Sequence, residues 1–118
     1  MLDITPNTIP ELDAWGSVTD LVAEILEGEV KAYGKMLFGA PTDPLACGYF
    51  GCTRGRFRMV YPYTEHAVVM EGSATLTNER TGEAKTYNVG DAWFVEKDTP
   101  VLWEVHSERF VKNYFGAA

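Results

Sequence analysis

Turn-forming residues cut this chain into short lengths, and no other feature of the sequence limits its fold as strongly. Eleven glycines and six prolines fall among 118 residues. From Lys31 onward they separate runs rich in Val, Tyr, Phe, Trp and Thr: 31–38, 46–52, 56–63, 65–71, 73–77, 83–89, 92–95, 101–106 and 109–115. β-Branched and aromatic residues suit a pleated, half-buried surface, so each run reads as a strand. Gly39-Ala40-Pro41-Thr42-Asp43-Pro44 is a loop that no regular element tolerates. Thr53-Arg54-Gly55, Gly72, Asn78–Gly82, Gly90-Asp91 and Lys97–Pro100 read as further turns. About nine short strands with turns every 8–12 residues predict an all-β sandwich or barrel.

One stretch has a different period. Val18, Leu21, Val22, Ile25 and Leu26 fall on one face of a helix. Ser17 is placed to cap it, with Asp20 three residues on, and Gly28 to end it. The spacing therefore predicts a short helix over 17–27. It divides the chain into an N-terminal extension, 1–28, and a strand-rich domain, 29–118.

The chain has the length of one domain with one core. Seventeen acidic against ten basic residues give a net charge of −7. That excludes the positive footprint of a nucleic-acid binder and disfavours an anionic membrane surface. The longest charge-free run, 44–53, is too short to span a bilayer. The start, Met1-Leu2-Asp3-Ile4, lacks the basic and apolar pattern of a signal peptide. A cytoplasmic protein that binds a small molecule or another protein is the expectation. Cys47 and Cys52 supply two thiols where zinc needs about four ligands, and both read as reduced, structural residues.

Three stretches resemble the small single-domain cupins related to the ureidoglycine aminohydrolase cupin domain. They are Gly48-x6-Gly55-Arg56-Phe57-Arg58, then Tyr63-Thr64-Glu65-x5-Glu71-Gly72, then Gly90-Asp91-x11-Trp103-Glu104-Val105 with Lys112 and Tyr114 downstream. The resemblance covers residues 29–115. Phe50 stands where the family usually has Trp, and Glu96-Lys97-Asp98 where it has Pro-x-Gly. The resemblance implies an RmlC-like jelly-roll barrel, also called a double-stranded β-helix, with a pocket at its mouth. It also implies a homodimer in which an element such as 31–38 pairs across the interface.

Cupin enzymes of this kind hold a divalent metal with His-x-His and Glu from a first motif and His from a second. Counting from Glu65, the two first-motif histidines fall on Met59 and Tyr61; counting from Gly55, they fall on Tyr61 and Tyr63. The second-motif histidine falls on Val101. Only Glu65 remains of the four, and one carboxylate does not hold a transition metal. The two histidines, His66 and His106, fall on the opposite strand face from that set. No metal or other cofactor is expected.

Strand alternation instead predicts a pocket lined by Met59, Tyr61, Tyr63, Glu65, Val101 and Trp103. A carboxylate among aromatic groups suits a counter-ion for a ligand amine, with cation–π support from Trp103. It equally suits an acid/base with Glu65 and Tyr61 as catalytic residues. Glu65 also has a structural option, pairing with Arg56, Arg58, Arg109 or Lys112. The first functional reading is a metal-free cupin that binds a small metabolite, nitrogen-containing compounds included. The second is a small hydrolase or isomerase using Glu65 and a tyrosine, in line with the aminohydrolase resemblance. The third is an accessory or oligomerisation domain without catalysis.

Overall fold

The computed structural model describes residues 1–4, 8–21 and 23–118. Among these residues nine strands follow one another: β1 Asp13–Ser17, β2 Glu24–Glu27, β3 Lys31–Phe38, β4 Leu45–Val60, β5 Thr64–Glu71, β6 Ala74–Asn78, β7 Ala84–Tyr87, β8 Ala92–Val95 and β9 Pro100–Ala117. All pairings are antiparallel.

Two long strands organise the rest. The first half of β4 and the second half of β9 pair with each other inside the order β1-β3-β4-β9-β5-β8. Their other halves pair inside a second layer, in which β2 lies on β4 and β6 joins β9 to β7. The layers meet at a register shift between Thr53 and Gly55, opposite Arg109 and Val105. A shift of that kind bends a strand. The two antiparallel layers, sharing β4 and β9, make a jelly-roll barrel.

The structure departs from the local sequence pattern in three places. Thr53-Arg54-Gly55 is no turn; it lies within the continuous strand β4. Runs 101–106 and 109–115 are likewise one strand, β9. The helix over 17–27 reduces to a 3-10 turn at Val18–Leu21 followed by β2, with Val22 outside the described residues. An 11-residue helix is marginal by itself, and here β4 offers Glu24–Glu27 a ladder along Arg56–Arg58. The strand 31–38 bonds within the chain, to β4 along its length and to β1 over Lys31–Gly34.

The core lies between the layers. Trp103 from one half of β9 packs edge-on against Phe110 from the other half (centroids 5.5 Å) and against Trp93 of β8 (5.6 Å), and stacks on Phe57 of β4 (5.4 Å). Burying each such ring contributes about 2–3 kcal/mol. Arg54, Arg56 and Arg58 project outward. Arg56 meets Glu104 at 3.8 Å and Arg58 meets Glu79 at 3.0 Å, surface pairs worth about 0–1 kcal/mol each. Among the described residues, no helix is long and apolar enough to cross a membrane.

Candidate functional site

The strand alternation of β5 decides where its only inward carboxylate goes. Glu65, Ala67 and Val69 are buried, while His66 faces solvent. Glu65 has no exposed surface at all, and a buried carboxylate is stable only when its oxygens are engaged. Both are. Oε2 accepts from the Tyr61 hydroxyl at 2.7 Å and from the Trp93 indole N–H at 3.1 Å. Oε1 accepts from the Lys112 ammonium at 2.5 Å. Lys112 is itself only 4% exposed.

Each donor is placed by its own local structure. Tyr61 follows the end of β4, where its backbone exchanges hydrogen bonds with Thr99 (3.0 Å) and Asp98 (2.8 Å). Trp93 follows the Gly90-Asp91 turn. Gly90, at φ +90, sits in the left-handed region that glycine enters freely. The Asp91 carboxylate accepts from Asn88 N (2.8 Å), and Val69 of β5 bonds both turn residues. That turn starts β8 in register, with Trp93 opposite Ala67. Lys112 lies opposite Val69 across the β5–β9 ladder, between the inward residues Phe110 and Tyr114.

Aromatic faces surround the ammonium. Lys112 Nζ lies 5.2 Å from the Trp103 ring centroid, 5.3 Å from Phe50 and Tyr114, 5.5 Å from Trp93 and 5.7 Å from Tyr61. Ring faces carry negative potential, so each attracts the cation. Burial, followed by the charge of Glu65, pushes the Tyr61 and Tyr63 hydroxyls well above their ordinary value. The same two causes push Tyr114 up to about 12. All three tyrosines are therefore protonated donors at neutral pH.

Above the pair opens a cavity of about 340 Å³. Phe57, Trp103, Lys112 and Tyr114 form its buried part, the half-buried Phe50, Met59, Tyr63, Trp15, Leu21 and Ala23 its walls, and the exposed residues Asp20 and Pro41–Asp43 its rim. Gly34 makes room for these walls, since a Cβ there would collide with the Trp15 indole. The Trp103 indole N–H is the one buried side-chain donor among the described residues without a partner.

Of the residues singled out in the sequence, Met59, Tyr63 and Trp103 stand on this cavity's wall. Tyr61 and Glu65 lie behind it. Val101, with Tyr61 and Trp93, faces a second cavity of about 220 Å³ beside the β6–β7 hairpin. The cation that Glu65 and Trp103 hold is Lys112 of the same chain, rather than a ligand amine. The roles of Phe50, Tyr114 and Trp93 around that ammonium were not read from the sequence. The available signal was a lysine flanked two residues away on both sides by aromatics.

The metal implied by the cupin resemblance does not fit this donor set. The histidine positions fall on Met59 and Tyr61 or on Tyr61 and Tyr63, and on Val101, and both oxygens of Glu65 are already engaged, one by a cation that would repel another. Among the described residues, no three His, Cys, Asp or Glu side chains converge.

Comparison with known families matches residues 39–114 to the EutQ-like cupin domain. Solved structures with this fold include the Clostridium difficile EutQ protein, at 21% identity and a TM-score of 0.62 over 75% of this chain and 68% of that one. A protein of unknown function from Pseudomonas syringae pv. tomato superposes with a TM-score of 0.77 at 20% identity. There the match covers 92% of this chain but 45% of the other. The cupin domain of an XRE family transcriptional regulator from Enterobacter cloacae gives 0.59 at 17% identity, over 74% of this chain and 96% of that one. No curated protein matches the chain.

Proposed function

The chain belongs to the EutQ-like cupin domain family, and from that premise we propose that it binds a small molecule without the help of a metal. The ligand is a compact, largely apolar compound that sits in the 340 Å³ cavity with a hydrogen-bond acceptor against Lys112. The observation that carries this reading is the Lys112 ammonium at the buried end of an aromatic cavity, fixed from behind by Glu65.

The cavity volume falls in the usual range for small-molecule sites, about 300–1,000 Å³. Trp103 supplies an aromatic ring to the same wall, while its N–H is buried and unpartnered. Asp20 and Asp43 on the rim favour a ligand whose outer end is neutral or carries an amine, which agrees with a nitrogen-containing metabolite. Acid/base catalysis by Glu65 and Tyr61 is the weaker reading. Both lie behind the wall, Glu65 has no free oxygen, and Tyr61 keeps its proton.

A fragment library of neutral and zwitterionic carbonyl and carboxylate compounds tests the proposal, read by NMR on the wild-type protein. Binders should shift the Trp103 indole and Lys112 signals and be indifferent to EDTA. A Lys112→Met variant should lose at least about tenfold in affinity, as for a lost charged hydrogen bond. Binding abolished by the chelator, or shifts confined to the second cavity, would refute it.

A further inference from the structure

A carboxylate and five aromatic rings around one nitrogen are the recognition chemistry of a receptor for alkylammonium ions. In this protein the receptor is filled by the chain itself. Its walls do not depend on Lys112 for their position. Trp103 is held by Phe57, Phe110 and Phe50, and Trp93 by Tyr87, Trp103 and Phe110. Tyr61 is fixed by its backbone bonds to Asp98 and Thr99, and Tyr61 and Trp93 orient Glu65. The cage also communicates with the outside, because Lys112, Phe50, Trp103 and Tyr114 line the 340 Å³ cavity.

We infer that Lys112 is a tethered cation occupying a preformed ammonium receptor, on the carboxylate that the cupin resemblance assigns to a metal, and that removing its side chain exposes a site for free primary alkylammonium ions. Beyond Cβ the lysine side chain is three methylenes and an ammonium group, the composition of n-propylammonium. The 2.5 Å bond to Glu65 requires an N–H donor, so the vacated site should select a primary ammonium over a quaternary one. This inference is independent of what the wild-type cavity binds.

The experiment measures urea unfolding of the wild type, Lys112→Ala and Lys112→Ala/Glu65→Gln. The additives are n-propylammonium chloride, tetramethylammonium chloride, potassium chloride and n-propanol at equal concentration. A Kd near 1 mM is within what four non-hydrogen atoms supply. At about 50 mM n-propylammonium, the folded-to-unfolded ratio of Lys112→Ala should then rise about fifty-fold. The wild type, whose cage is filled, and the double variant, which lacks the carboxylate, should respond no more than they do to potassium chloride. If Lys112→Ala does not fold in buffer, recovery of its near-ultraviolet circular dichroism on adding n-propylammonium carries the same test. An equal response to n-propanol or tetramethylammonium, an equal response in the wild type, or no recovery of an unfolded Lys112→Ala would overturn the inference. So would stoichiometric, chelator-sensitive metal in the purified wild-type protein.

Discussion

Replacing Lys112 by Met leaves Glu65 as a lone buried charge, and the cost follows from the geometry. At 2.5 Å and an effective dielectric constant of about 20, two opposite unit charges attract by about 7 kcal/mol. Desolvation of both groups offsets most of that gain, so the pair adds little net stability over an apolar pair of the same shape. Breaking it from one side is different, because the remaining charge keeps its desolvation cost. Lys112→Met should lose about 3–5 kcal/mol, a large part of the roughly 5–15 kcal/mol that holds a domain together. Glu65→Gln should lose less, about 2–3 kcal/mol. Its amide oxygen still accepts from Tyr61 and Trp93, and the five rings still hold the ammonium, worth about 2 kcal/mol in a desolvated setting. The double variant Glu65→Gln/Lys112→Met has no lone charge and keeps the acceptor, so its loss should be only about 1–2 kcal/mol. The resulting coupling, about 5 kcal/mol, corresponds to about 2.5 M in the urea midpoint at a slope of about 2 kcal/mol per M. Chemical unfolding of all four proteins under one set of conditions measures it. Losses that add to within about 0.5 kcal/mol would show that the two groups do not act as a pair.

Other consequences are open to simpler measurements. Burial pushes the Cys52 thiol up to about 12, against a smaller lowering by Lys112, whereas Cys47 is only half-buried. DTNB at pH 8 should therefore titrate one thiol per native chain and two in urea; two in the native protein would contradict the described packing. The raised hydroxyls of Tyr61, Tyr63 and Tyr114 predict alkaline instability. A folded-state value above the unfolded one stabilises fully below pH 10 and is lost as pH rises, through about 12 for Tyr114. The urea midpoint should fall from pH 10 to 12 alongside rising tyrosinate absorbance at 295 nm, and a flat midpoint would count against it. A Cβ at Gly72, where φ is +77, would collide with Ser107 Oγ and the Arg109 carbonyl, while one at Gly82, φ +80, meets nothing within 4 Å. Gly72→Ala should cost about 3 kcal/mol and Gly82→Ala about 1 kcal/mol, and equal thermal shifts would refute that contrast.

The parts of the fold that sequence reasoning reaches are those set by neighbours along the chain. Alternation and flanking turns delimit β3 and β8, and the inward placement of Glu65, Met59 and Trp103 follows from counting by two. Reasoning from local signals goes astray where a distant strand decides. Thr53-Arg54-Gly55 has the composition of a turn, but the facing stretch of β9 keeps β4 extended and turns those residues into a bend. The apolar period of 17–27 is real, yet β4 supplies ladder partners that a marginal helix cannot match. The site divides in the same way. The absence of histidine at the ligand positions is visible in the sequence. The choice of Lys112 as the partner of Glu65, among four candidates, depends on a register set 47 residues away.

The placement of β9 has a consequence for how the protein is made. This strand is last in chain order, yet β4, β5 and β6 all take hydrogen bonds from it. During synthesis those three strands therefore emerge with open ladders and wait for residues up to Ala117. Trp103 and Lys112 travel on the same strand, so the ribosome delivers the cavity's buried end and the fold's central partner in a single event. A nascent chain stopped before Pro100 has neither, and presents to the cell a set of unpaired apolar edges of the kind that chaperones and proteases recognise.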